Sequence, residues 1–295
     1  MKLDQAAKLR AQMSTASTTE QNVEEKADFQ AQSVAIVSGK GGVGKSNFTV
    51  NFAIQLAAQQ KKVLLIDMDL GMGNVHILLG TQPTANLKQY LMGERSLEQV
   101  IQPYPSHFSY ISGGSGLDEL IDWTDDMIDR LLTAFQQMQY DYDFILFDMG
   151  AGATKRTMDL IAAVDEVIVI STPEPTSITD AYSMMKFIVM KDFNKPIHLI
   201  NNRVPRPEEN HVVAKRLQLA MKKFLNKDVT ILGSLKEDSL VMEAVIAQTP
   251  FVLYRPKSKI VQQLNEITWQ FIGVQQPKAE PKQFLNKLKR FFMKG

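Results

Sequence analysis

The run Gly39-Lys40-Gly41-Gly42-Val43-Gly44-Lys45-Ser46 places glycines, a lysine and a hydroxyl at the spacing G-x-x-x-x-G-K-[ST]. Glycines let a backbone turn until its N–H groups converge on one concavity, where phosphate oxygens accept them. At that spacing Lys45 would meet the β- and γ-phosphates, and the Ser46 hydroxyl would meet Mg²⁺. A glycine-rich turn with an incidental Lys-Ser is the plain alternative. The context opposes it, because the run follows the apolar stretch Val34–Val37 and opens a helical one.

Moving a phosphoryl group to water needs a cation to absorb charge and a group to orient the attacking water. Two short apolar runs end in acids. Val63-Leu64-Leu65-Ile66 leads into Asp67-Met68-Asp69, and Phe144-Ile145-Leu146-Phe147 leads into Asp148. Each is followed by a glycine-rich turn. Aspartate often merely caps such a turn. Two such sites downstream of a phosphate loop favour the catalytic reading.

Those residues need a scaffold that gathers strand ends. The apolar runs Ser33–Val37, Val63–Ile66, Phe108–Ile111, Phe144–Phe147, Glu166–Ile170, Ile197–Ile200 and Val229–Leu232 are short and largely β-branched or aromatic. Helical stretches alternate with them, near Lys45–Gln59, Asp125–Met138, Ser177–Met190, Glu208–Phe224, Leu235–Ala247 and Ser258–Phe271. The pattern predicts an α/β domain over residues 32–274, with a doubly wound, mainly parallel sheet and helices on both faces. Residues 1–31 form an extension with a polar linker, and residues 275–295 a Pro-containing linker and a short terminal helix.

Composition narrows the classes. The chain has 295 residues, a 44% apolar fraction, a formal charge of +1 and no cysteine. The charge balance argues against a nucleic-acid coat, so no nucleic-acid partner is expected. Without cysteine there are no disulfides, thiolate zinc sites or iron–sulfur clusters. No apolar run reaches bilayer-spanning length and no apolar signal region opens the chain, so a cytoplasmic location is expected.

Lys40-Gly41-Gly42-Val43-Gly44-Lys45-Ser46 resembles the deviant Walker A loop of the MinD/ParA ATPases. The resemblance extends from Ser33 to about Phe271. It implies ATP and Mg²⁺ as cofactors and a homodimer formed on ATP, with Lys40 reaching the partner's nucleotide; alone, Lys40 would read as a solvated charge. It further implies that Asp69 holds the attacking water, that Asp67 lies near the metal shell, and that Asp148 binds Mg²⁺ through water. The family usually has a proline after this last aspartate, where Met149-Gly150-Ala151-Gly152 stands here. Ile200-Asn201-Asn202-Arg203 ends a late strand where the family has an Asn-Arg that reads the adenine edge. Asn202, preceding the arginine, is the candidate, with Asn201 the alternative strand cap.

The two ends separate members of that class. On a helical wheel Phe284, Leu285, Leu288, Phe291 and Phe292 share roughly a third of the circumference. Lysines and an arginine flank them, and the segment has no acid. This suits the plane of an anionic bilayer, at the inner face of the cell membrane; a helix packed back onto the domain is the alternative. At the other end, Asp4-Gln5-Ala6-Ala7-Lys8-Leu9-Arg10 looks like the D-Q-A-x-x-L-R element of the FlhG (FleN/YlxH) family of regulators of flagellar number and placement. That resemblance implies an element centred on Asp4, Gln5, Ala6, Leu9 and Arg10 that activates the GTPase FlhF, and contacts with flagellar C-ring proteins. A MinD-type division-site ATPase would share the core and tail but lack this extension. A ParA-type DNA partitioner would carry a basic DNA-contacting surface and no membrane tail.

Overall fold

The computed structural model describes residues 30–114, 124–150, 155–205, 212–273 and 283–292. The candidates Asp4, Gln5, Ala6, Leu9 and Arg10 lie outside them.

Eight strands form one sheet in the order β3-β4-β2-β5-β1-β6-β7-β8. They are β1 (Gln32–Val37), β2 (Val63–Asp67), β3 (Gln102–Tyr104), β4 (Phe108–Ile111), β5 (Phe144–Asp148), β6 (Glu166–Ser171), β7 (Ile197–Val204) and β8 (Thr230–Lys236). Every neighbouring pair is parallel except β3–β4. The edge strand β3, with Pro103, was not expected; it is a short hairpin return closed by Ser106 and His107 in left-handed conformation. Proline is tolerated there because an edge strand has a solvent side needing no ladder bond.

The main helices are α1 (Lys45–Ala58), α5 (Asp125–Met138), α6 (Lys155–Ala163), α7 (Pro175–Lys191), α8 (Val212–Leu225), α9 (Ser239–Ile246), α11 (Lys259–Gly273) and α12 (Gln283–Phe292). Single-turn pieces fill the connections: α2 (Val75–Leu78), α3 (Leu87–Leu91), α4 (Leu97–Val100) and α10 (Phe251–Tyr254). Alternation along the strands divides the core. In β1, Ala35 and Val37 face the layer of α5 to α8, while Val34 and Ile36 face the layer of α1 and α11. Strands buried on both faces read as continuous apolar runs, which is why they were legible.

Two expected boundaries are corrected. The helix expected from Leu235 starts at Ser239, because β8 continues to Lys236 and the Asp238 side chain caps the helix by accepting from the Leu240 N–H. The strand expected to end at Ile200 continues to Val204.

The terminal helix forms as expected and takes the alternative position, packed back on the domain against α6 and α5. Leu288 is wholly buried. The Phe284 ring sits 5.3 Å from the ring of Phe135 and 6.0 Å from that of Phe147. Lys287 donates to Asp192 at 3.0 Å. In this state Phe284 and Leu288 therefore face the domain core and not a bilayer. Residues four apart share one helix face, and that face fits the aromatic groove of Phe135 and Phe147. Among the described residues no helix is long and apolar enough to cross a membrane.

Candidate active site

The strand order β2-β5-β1 brings three C-terminal strand ends side by side. Ile36 is in register with Asp148, and Asp148 with Asp67. The loop after β1 runs from Ser38 to Gly44 and enters α1 at Lys45. Gly42 and Gly44 take φ of 77° and 88°, the left-handed region that the turn requires and glycine supplies without steric cost. At Gly39 the demand is different: a Cβ would lie 2.2 Å from the Asp180 backbone of α7, so only glycine lets the loop pack there.

Lys45 and Ser46 begin α1, each half-buried, where unpaired helix N–H groups favour an anion. Lys45 pairs with Asp148 at 2.6 Å. Thr49, one turn along, donates to the same carboxylate oxygen at 3.2 Å. Thr49 was missed by the sequence reading; its position four residues after Lys45 on one helix face was the available signal. Asp67 is buried beside Asp148 and accepts the N–H groups of Asp69 (3.0 Å) and Val75 (3.2 Å). Burial, reinforced by the Asp148 charge, pushes the Asp67 carboxyl up to about 7. Asp69 is half-buried and fixes its turn by accepting the Met72 N–H at 2.9 Å. A Cβ on Gly150 would lie 3.6 Å from Asp69, so the turns after β2 and β5 meet at this residue.

The donor set fits a small hard cation. Ser46, Asp67 and Asp148 offer only oxygen, and Mg²⁺ takes one or two carboxylates together with substrate phosphates and water. No cluster of three or more His, Asp or Glu side chains that could hold a metal by themselves occurs among the described residues. The Lys45 ammonium now occupies Asp148; a triphosphate would draw it away and leave that carboxylate to the cation.

Lys40 does not enter this group. It is exposed on the rim, paired with Glu174 at 2.6 Å and donating to Thr176 at 3.2 Å at the start of α7. Asn202 is brought to the loop by an irregularity: the β7–β8 register shifts between Asn201 and Val204, and Arg203 turns left-handed. Such bulges re-aim side chains. The Asn202 amide donates to the Val43 carbonyl at 2.8 Å, so it pins the phosphate loop while lining the adjoining cavity. That cavity, about 560 Å³, is bounded by Gly44, Asn202, Leu235, Asp238 and Met242 and suits a nucleoside. Asn201 is buried, and its amide has no hydrogen-bond partner among the described residues.

Residues 30–272 match the ParA family, NUBPL iron-transfer P-loop NTPase. The antiactivator FleN of Pseudomonas aeruginosa is 30% identical over 77% of this chain and 81% of its own length. The flagellum site-determining protein YlxH of Helicobacter pylori is 29% identical over 88% of this chain and 90% of its own. Among solved structures, the septum site-determining protein MinD of Pyrococcus horikoshii, complexed with Mg-ADP, superposes with a TM-score of 0.66 at 28% identity. That match covers 82% of this chain and 96% of the other.

Proposed function

This chain belongs to the ParA family of P-loop ATPases, and we propose that it is an ATP-switched homodimer that regulates flagellar number and placement. The observation that carries the switch is the divided use of the two loop lysines. Lys45 lies in the cleft on Asp148, whereas Lys40 projects from the rim, where a second copy's nucleotide can reach it. In the working cycle Lys45 and the loop N–H groups hold the triphosphate, Ser46, Asp67 and Asp148 hold Mg²⁺, and Asp69 orients the attacking water. The cation neutralises charge on the phosphate oxygens. Lys40 adds charge across the dimer.

The flagellar reading rests on the FleN and YlxH relatives and on the Asp4–Arg10 element. In it residues 1–13 stimulate the FlhF GTPase, with Gln5 positioning the attacking water and Arg10 anchoring the segment. C-ring proteins dock elsewhere. The region where α7 and α8 end suits them: Phe193, just after α7, and Phe224, in the last turn of α8, are exposed, with Lys227 5.5 Å over the Phe193 ring and Lys223 5.5 Å over the Phe224 ring. Aromatic anchors ringed by cations fit an acidic partner. Membrane attachment uses α12, which must first leave its groove, because two of the residues that would enter lipid, Phe284 and Leu288, are packed on the domain. A division-site role of the MinD type is the second reading, favoured by the similarity to a MinD structure.

Sedimentation of Asp69→Ala with and without ATP tests the core of this proposal. The variant binds ATP, accumulates as a dimer and hydrolyses on the order of 100-fold more slowly, since the water loses its orienting carboxylate. Wild-type turnover in that variant would remove Asp69 from the mechanism.

A further inference from the structure

We infer that Glu174 is a positioning residue that holds Lys40 in the unassembled protomer and thereby sets the concentration at which two copies join. The inference rests on the proposed role of Lys40 in the dimer and adds a residue to it. Three observations support it. Lys40 is fully engaged on its own chain, with Glu174 at 2.6 Å and Thr176 at 3.2 Å. The cradle is built: the Ser38 hydroxyl donates to the Lys40 carbonyl at 2.9 Å, and Gly39 allows the loop to lie directly on α7. The Glu174 carboxyl is held below its usual range first by the Lys40 hydrogen bond and charge, with Arg203 adding to the effect.

Glu174 makes no capping bond to its own helix, so Lys40 is its visible task. A lysine that must serve a phosphate on a second copy has to exchange one anion for another. The phosphate carries more charge and is less exposed once the copies meet, so the exchange runs forward only when a triphosphate is present. With a diphosphate or no nucleotide, Glu174 keeps the ammonium. Nucleotide selectivity of assembly then arises from competition at one amine.

Glu174→Gln removes the competing charge and keeps the shape of an exposed side chain. In an Asp69→Ala background with ATP, the protein concentration at half-dimerisation should fall about threefold to tenfold, as an exposed ion pair at each of two sites permits. ADP affinity of the dilute protomer should stay within about twofold, and the thermal midpoint should not move. In a Lys40→Ala background, which forms no ATP dimer, the same substitution should restore none, because the held group is gone. An unchanged or weaker dimer in Glu174→Gln overturns the inference, the weaker case placing Glu174 across the interface as a direct contact. So does an ATP-dependent dimer of the Lys40→Ala/Glu174→Gln double variant, since Glu174 would then act without the lysine. A parent protein that stays monomeric with ATP at every concentration overturns the dimer reading as well, which separates the two failures.

Discussion

At the scale of single residues, two lysines five positions apart are given opposite surroundings. Lys45 sits over a buried carboxylate, so Lys45→Ala deprives the phosphates of their cation and leaves Asp148 unpaired in the interior. Nucleotide affinity should fall on the order of 100-fold by equilibrium titration. Lys40→Ala should leave ADP affinity within about twofold and instead abolish ATP-dependent dimers. Equal losses in both would make Lys40 an ordinary member of the loop. Asp67 gives a pH signature. Its folded carboxyl titrates at about 7, above the ordinary value of 3.8, so the folded state binds the extra proton between those limits. The stability of the unliganded protein therefore declines from about pH 4 to about pH 7 on this account and is level above it. Mg²⁺-ATP needs the carboxylate and should expel the proton. Calorimetry in buffers of differing ionisation enthalpy should detect proton release at pH 6.5 and almost none at pH 8.5. Asp67→Asn should erase the difference between the two pH values; its persistence would assign the proton elsewhere.

At the scale of elements, β5 connects two functions. Asp148 faces the phosphate loop, and Phe147 faces the other layer, where it meets Phe284 of α12. Burying Leu288 alone stabilises the seat by about 2 kcal/mol. The Lys287–Asp192 pair adds direction more than energy. Burial pushes the Asp192 carboxyl up, but Lys287 and Lys195 outweigh it and hold the group below its usual range. Removing residues 275–295 should uncover this aromatic face and lower the thermal midpoint by about 5 °C, while abolishing binding to anionic vesicles. Asp192→Asn should loosen the seat and raise nucleotide-free vesicle binding about twofold to fivefold. Vesicle binding that survives the truncation would place the membrane contact on the domain. The proposed GTPase-activating segment, residues 1–13, is too short to make a stable helix alone and is expected to fold on its partner. A peptide of residues 1–20 should raise GTP hydrolysis by FlhF, and Gln5→Ala should remove the gain without altering this chain's own ATPase. An inert peptide beside an active full-length protein would move the activating surface to the domain.

At the scale of the whole molecule, the phosphate loop and the seat of the terminal helix share one sheet. Its central strands carry the phosphate loop and Asp148, and its helical layer holds the terminal helix. The phosphate loop, Asp67, Asp69 and Asp148 were legible in the sequence because local chemistry fixes them: glycines at set spacing, and acids at the ends of apolar runs. The parallel sheet followed from strands buried on both faces, whose composition carries the signal. Thr49 and Glu174 were not legible. One is a helix residue turned toward Asp148, the other a helix-cap residue facing a loop more than a hundred positions away. Asn202 was read as a base contact from its place before Arg203; that the bulge in β7 also sets its amide on the Val43 carbonyl was not legible. The terminal helix shows the limit most plainly. Its amphipathic pattern fixed which face is apolar, because periodicity is local. What that face meets depends on a groove built from α5, α6 and β5, and the hydrophobic effect, being non-directional, accepts either partner. Only the tertiary arrangement of Phe135 and Phe147 decided that Phe284 lies on the protein in this state.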